Sequence, residues 1–446
     1  MTQYTLPQTP TIYYGTSSAP VSRRTTTTMG TDDGIRKKTL KDIIRHFVPA
    51  WFAVNMGTGA ISILFYSFPY GNGSEEMKIL SLLFFFLNLG LFIIFTAVTA
   101  ARYVLFPDLW SIMLQHPVQS LYLGCAPMGV ATMISVAASL IHEGYGFGGK
   151  PFIYFVWGVW WLDVAVSALC CWQLMHIMMV RQDHALKRMT AVWLLPVVTF
   201  IVASSSGGVI APSLATYSPL HAIITLSTSV FLVTIGLSLA FMLLTVYLLR
   251  LIVYGIPPGP TVISVFLPLG PMGQAGFSIL LAGQAFEAIL PYGDKGFLSS
   301  PTAGNVINVI CTCVSFALWC LTTMWVIYAL LAVQEVLRKG RFPFKLPFWG
   351  LIFPNGVYAN LTIALARTFD APFFRVYGAA YAAGTLVLWS LVAFRTLTLV
   401  RGGQIFESPC VEDLDMSRAS STCANGGVAV VQSTSVNGNG EVEKRT

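Results

Sequence analysis

Thr58, Ser204, Ser205, Gln274 and Asn355 lie inside long apolar stretches, and each ends in a hydroxyl or a carboxamide. Such groups offer hydrogen bonds without carrying charge. Around them, the segments 47–68, 119–141, 190–212, 261–286 and 347–366 contain no Asp, Glu, Lys or Arg. A cation path usually carries carboxylates, and a proton relay usually needs Asp, Glu or His within the membrane. Neutral donors suit instead the weak, reversible coordination of an anion. The basic run from Arg338 to Lys345 would raise the local anion concentration at one mouth of such a path.

Other residue types argue mainly by exclusion. Asp163, in Trp160-Trp161-Leu162-Asp163, is the one carboxylate deep in an apolar stretch. It is a candidate for proton coupling, or for holding one helix to another through hydroxyls or helix ends. His46, His116, His142, His176, His184 and His221 show no zinc spacing, and Cys311-Thr312-Cys313 lacks metal-ligand spacing, so no metal or cofactor is expected. Gly144-Tyr145-Gly146-Phe147-Gly148-Gly149-Lys150 imitates a phosphate-binding loop, but Pro151 stands where a magnesium-binding hydroxyl is required. An integral membrane enzyme would need a cluster of His or acidic residues near one membrane face, and none is found.

The elements that must position these groups follow from composition. Of 446 residues 55% are hydrophobic and 10% charged, and the mean hydropathy is +0.69, which defines an all-α polytopic membrane protein. Crossing the hydrocarbon layer takes about 20 helical residues. Ten stretches qualify: 47–68, 78–102, 119–141, 152–180, 190–212, 220–251, 261–290, 304–337, 347–366 and 374–400. Their loops place 16 Lys and Arg on one side and 5 on the other, which predicts cytoplasmic N- and C-termini. The net charge of +7 follows from this bias, so nucleic acid is not an expected partner. Asn72, in Asn72-Gly73-Ser74, falls in the first outside loop as a glycosylation candidate. Residues 1–42 and 403–446 read as disordered cytoplasmic tails flanking a transmembrane domain, 43–402.

The ten spans form a repeat of helix pairs. Odd-numbered spans carry Pro49, Pro127, Pro196, Pro271 and Pro354 together with Gly57, Gly129, Gly273 and Gly356, whereas even-numbered spans are more uniformly bulky. A proline inside a helix leaves the carbonyl four residues back unpaired and bends the axis. In hydrocarbon that is tolerable only beside protein or a water-filled cavity. The expected architecture is five helical hairpins around a central pore, with kinked odd-numbered helices lining it. Phe353, immediately before Pro354, could project its ring into the path.

Several motifs carry a family resemblance: Leu269-Gly270-Pro271-Met272-Gly273-Gln274, Phe348-Trp349-Gly350 leading into Phe353-Pro354, Trp160-Trp161-Leu162-Asp163, Val202-Ala203-Ser204-Ser205-Ser206-Gly207, and Met56-Gly57-Thr58-Gly59 followed by Tyr66-Ser67-Phe68-Pro69-Tyr70. Over about residues 43–400 the chain resembles fungal sulfite efflux pumps, in the family of tellurite-resistance and dicarboxylate transporters and plant slow anion channels. The resemblance implies ten helices around a pore, often in a homotrimer, with a phenylalanine occluding the path; the matching residue is Phe353. It further implies plasma-membrane export of sulfite or hydrogensulfite, a small inorganic anion, from a protein otherwise surrounded by lipid. The alternatives are a proton-coupled carrier of malate or another C4-dicarboxylate, and a less selective small-anion channel. A dianion usually calls for a fixed cationic site, and the neutral segments supply none.

Overall fold

The structure, a computed structural model, describes residues 39–412 except 72, 341, 342 and 410. The glycosylation candidate Asn72 and most of both expected tails thus lie outside the described residues. Ten long helices follow one another: α1 Phe52–Ser67, α2 Glu75–Leu105, α3 Ser120–Gly144, α4 Gly149–Val180, α5 Ala191–Ala215, α6 Pro219–Tyr254, α7 Gly259–Ile289, α8 Ala303–Lys339, α9 Ile352–Phe369 and α10 Pro372–Arg401. Among the described residues no strand occurs. Eight of these helices are long and apolar enough to cross a bilayer, α2 to α8 and α10. The exceptions, α1 and α9, have 16 and 18 residues and are each led in by a 3₁₀ turn, Pro49–Trp51 and Leu346–Leu351.

Each even helix packs on the odd helix before it as an antiparallel hairpin partner, and the odd helices pack on one another. In order, α1 touches α3, α3 touches α5, α5 touches α7, α7 touches α9, and α9 returns to α1. The close approaches show that neighbours in this ring run parallel. Asn55 faces Gly129 and Gly59 faces Thr132, so α1 and α3 advance together; Gly57 meets Ile352 and Ala60 meets Gly356, so α9 and α1 do too. On the opposite side Ser204 meets Ser278 and Gly208 meets Leu281, while Gly273 meets Val357 and Gly276 meets Leu361.

Burial separates the two layers. Within its most apolar window α5 is 94% buried and α7 83%, whereas α10 is 17% buried and α2 22%. Large side chains such as Phe86, Ile93, Phe155, Phe231, Val309 and Phe394 project outward from the even helices, as a hydrocarbon solvent demands. The ring closes because small residues face their neighbours. A Cβ on Gly59 would stand 1.9 Å from Thr132 Oγ1, and one on Gly356 2.9 Å from Ala60 Cβ. Gly57, Gly129 and Gly273 likewise seat Ile352, Asn55 and Val357 of adjacent ring helices.

The five prolines are placed differently from the mid-helix kinks expected of them. Short 3₁₀ leads, Ser120–Gly124, Ala191–Leu194, Gly259–Phe266 and Leu346–Leu351, precede the α segments that begin at Cys125, Leu195, Leu269 and Ile352. Pro127, Pro196, Pro271 and Pro354 fall on the second or third residue of those segments, and Pro49 opens its own 3₁₀ turn. A proline there removes an N–H that a starting α-helix leaves unpaired in any case. What it marks is a change of helical type at the head of each inner helix. A proline within an inner helix does exist, at Pro212 of α5, a position the sequence reading passed over.

The tail boundaries also shift. Thr39 caps a short helix, Leu40–Arg45, through a reciprocal box with Asp42. After α10 the chain turns back, burying Ile405 and Phe406; the Phe406 ring stacks on Trp51 at 5.4 Å, and Glu407 pairs with Lys345 at 2.8 Å. The segment beginning at 403 is therefore packed at least through these residues.

Candidate anion path

The axis of the ring holds a cavity of about 310 Å³, and every residue that lines it belongs to an odd-numbered helix. Along α9 the lining runs Phe353, Gly356, Val357, Asn360, Ile363, Ala364 and Arg367. Successive spacings of three or four keep one stripe of the helix on the axis. The same phase selects Val202, Ser205, Gly208, Val209 and Pro212 from α5 and Gln274, Phe277, Leu281 and Gln284 from α7. Because the odd helices are parallel, these stripes share two ends. At the N-terminal end stand Phe353, Gln274, Val202 and Ala131; at the C-terminal end stand Arg367, Gln284, Pro212 and Glu143.

Phe353 is 3% exposed and is the first lining residue of α9, so its ring bounds the cavity at its N-terminal end. Nearby, Gln274 Nε2 donates to Ser205 Oγ, and Ser205 Oγ donates to the Val202 carbonyl at 2.8 Å. Ser205 and Gln274 therefore form a bridged pair of polar groups between α5 and α7 on the cavity wall. Pro212 lacks the N–H that would engage the carbonyl of Gly208, and both residues line the cavity.

Three of the five expected anion contacts are turned away from the axis, which corrects the reading from residue type. Thr58 Oγ1 accepts from Trp389 Nε1 of α10 at 3.2 Å. Ser204 Oγ donates to the Ser229 carbonyl of α6 at 2.6 Å and meets Ser278 Oγ at 2.6 Å. Asn355 donates to the Leu351 carbonyl at 2.7 Å and accepts from Tyr381 Oη at 2.6 Å. Their neighbours on the outer helices satisfy groups that would otherwise be orphaned in a membrane. Of the glycines and prolines expected to shape the path, Gly356 lines the cavity; Gly57, Gly129 and Gly273 serve contacts between ring helices instead.

The lining also includes polar residues that were not singled out: Thr132, Ser135 and Ser139 of α3, Gln284, and Tyr66 at the end of α1. Their spacing on α3 is a legible signal once one lining residue is fixed. The neutral segments counted from the sequence hold as read, but the lining continues one turn past two of them. There Glu143 and Arg367 join it, so the cavity is charged at its C-terminal end. Ser213 Oγ donates to Glu143 Oε1, and Arg367 Nη2 donates to the Ser67 carbonyl at 2.6 Å.

Asp163 lies outside this cavity, on α4, where it is 3% exposed and neither carboxylate oxygen has a hydrogen-bond partner among the described residues. One turn either side, Trp160 Nε1 donates to the Ala203 carbonyl at 2.9 Å and the Ser167 carbonyl accepts from Thr199 Oγ1 at 3.2 Å. The expected pairing of Asp163 with a hydroxyl or helix end is not made. Among the described residues no group of His, Cys, Asp and Glu could hold a metal ion.

Five parallel inner helices, an outer layer of apolar helices and an axial cavity of hydroxyls, amides and apolar walls define a polytopic membrane protein with a cavity on its ring axis. Its sequence matches the SLAC1 voltage-dependent anion channel family over residues 46–397, and the chain belongs to that family. Among curated relatives, the sulfite efflux pump SSU1 of Arthroderma benhamiae is 34% identical over 349 residues, covering 78% of this chain and 89% of the relative. The protein of the same name from Trichophyton rubrum is likewise 34% identical over 349 residues. More distant is the malic acid transport protein of Schizosaccharomyces pombe, 21% identical over 80% of this chain and 78% of the relative.

Proposed function

We propose that this protein exports sulfite or hydrogensulfite across the plasma membrane through the axial cavity, with Phe353 as the gate. The carrying observation is that the cavity is lined from all five odd helices and, above its C-terminal end, entirely by neutral groups. An inside-negative potential favours exit of a monovalent anion by about 2.3 kcal/mol per 100 mV, so ATP is not needed. Weak coordination then allows release, since conduction requires sites that bind and let go. Ser205 and Gln274, both on the wall near Phe353, are the proposed inner contacts.

In this reading all ten long helices span the bilayer. Helix α1 is about 24 Å long at 1.5 Å per residue, and its 3₁₀ lead adds about 6 Å, close to the hydrocarbon thickness of roughly 30 Å. The Lys and Arg bias puts the N-terminal ends of the odd helices, and hence Phe353, on the cytoplasmic side. Outward-facing apolar surface on the even helices meets lipid and, in a homotrimer, neighbouring copies. The names of the 34%-identical relatives support sulfite as the substrate. Purified protein in liposomes loaded with sulfite tests the proposal. Efflux should follow an imposed inside-negative potential and exceed malate efflux under the same gradient; absence of potential-driven sulfite movement would sink it.

A further inference from the structure

Five parallel helices make the two ends of the cavity electrostatically unlike. A helix carries roughly +0.5 of an elementary charge at its N-terminus and −0.5 at its C-terminus, concentrated in the last turn. At the N-terminal end of the ring these partial charges favour an anion. At the other end lie the C-terminal ends of the five inner helices, and Glu143 adds a carboxylate to the lining. An anion leaving by that end meets repulsion from the backbone and the carboxylate together. Arg367 is the single cationic residue of the lining, and it stands there.

Its geometry suits a ligand site. Nη2 is tied to the Ser67 carbonyl at 2.6 Å, which fixes the guanidinium at the rim between α9 and α1. Its other nitrogens make no hydrogen bond among the described residues, and the side chain is exposed. A guanidinium presents paired N–H donors in one plane, a match for two oxygens of an oxyanion. Tyr66 lies within electrostatic reach of both Arg367 and Glu143 and lines the same rim, as does Gln284, so hydroxyl and amide groups flank the cation. Glu143 is held by Ser213, on α5, across the mouth.

We propose that Arg367, with Tyr66 and Gln284, forms a second, outward-facing anion site for small oxyanions at the C-terminal mouth of the cavity. This rests on the export reading and adds to it a relay: the anion passes from the neutral inner wall to a cationic exit that offsets the helix termini. The site also binds oxyanions arriving from outside, so external anion competes with efflux.

The test uses two readouts. In the first, thermal stabilisation of detergent-purified full-length protein is titrated with sodium sulfite at constant ionic strength. Arg367→Gln is expected to raise the half-saturating concentration roughly fivefold, the Coulomb attraction of about 1 kcal/mol for two unit charges 4 Å apart in water. Arg367→Lys keeps the charge but loses the paired donors, and its half-saturating concentration should fall between those of the unmodified protein and Arg367→Gln. In the second, sulfite efflux from liposomes is measured against rising external sulfite, with Arg367→Gln losing the external inhibition and Glu143→Gln strengthening it. An unchanged titration in Arg367→Gln overturns the site, whatever the flux does. So does an Arg367→Lys protein as impaired as Arg367→Gln, because the positive charge at the exit would then contribute nothing to binding. Normal titration with no flux in the unmodified protein leaves the exit site standing and defeats the export reading alone.

Discussion

Replacing Phe353 by Ala is the sharpest perturbation of the axial path. The ring is 3% exposed at the N-terminal end of the cavity, and burial of a phenylalanine is worth roughly 1.5–3 kcal/mol. If opening requires the ring to leave that position, closed protein outnumbers open by roughly ten- to a hundredfold, at about 1.4 kcal/mol per decade. Phe353→Ala should therefore raise potential-driven anion flux by about one to two orders of magnitude. Phe353→Leu, which keeps most of the bulk, should raise it far less. An ordinary core phenylalanine behaves otherwise: truncation costs about 3–5 kcal/mol of stability and opens no path. The assay is sulfite efflux from liposomes under a potassium diffusion potential, normalised to folded protein, with thermal denaturation of each variant alongside. A stably folded Phe353→Ala protein whose flux equals that of the unmodified chain would refute the gate and return Phe353 to packing.

Further expectations concern the wall, the ring and the outer layer. Ser205→Ala or Gln274→Ala removes one side of the polar bridge and should weaken anion affinity by roughly two- to tenfold, the worth of about one hydrogen bond, read from the concentration dependence of efflux. Asn355→Ala should instead act on stability, since its partners are Leu351 and Tyr381; an effect confined to flux would place it on the path after all. Gly59→Ala forces a methyl to within 1.9 Å of Thr132 Oγ1 and should cost about 1–3 kcal/mol or more, seen as a lowered denaturation temperature. Asp163→Asn replaces a buried carboxyl that makes no hydrogen bond among the described residues with an amide of the same size; thermal stability should hold, and efflux without a pH gradient should be unchanged. Loss of a pH-gradient effect in that variant would assign Asp163 to coupling instead.

The positions of the helices were legible because hydropathy and length act locally, and the alternation of small-residue and bulky stretches announced which layer each would join. Rotation about each helix axis was not legible. Thr58, Ser204 and Asn355 have the same chemistry as Ser205 and Gln274 and sit within a turn or so of lining residues, yet a rotation of about 100° per residue decides between cavity and neighbour. The prolines misled for a related reason. A proline in an apolar run looks interior when the run is counted as one α-helix; a 3₁₀ lead puts the start of the α segment just ahead of it. Glu143 and Arg367 escaped because the charge count stopped at the ends of the apolar segments, while the cavity extends one turn further. A lining stripe becomes predictable only when one of its members is known, after which spacing supplies the rest.

The closed ring also bears on how the chain is made. Helix α1 acquires one of its two ring neighbours, α3, early, but the other, α9, is synthesised about 300 residues later; the Arg367 to Ser67 hydrogen bond spans 300 positions and the Trp389 to Thr58 bond 331. At roughly 5–20 residues per second that interval lasts about 15–60 s. Throughout it Thr58 and the face of Gly57 have no partner from their own chain. Unlike an open solenoid, the ring closes only when the last hairpin arrives, and until then the face of the first helix that will meet α9 is left to lipid.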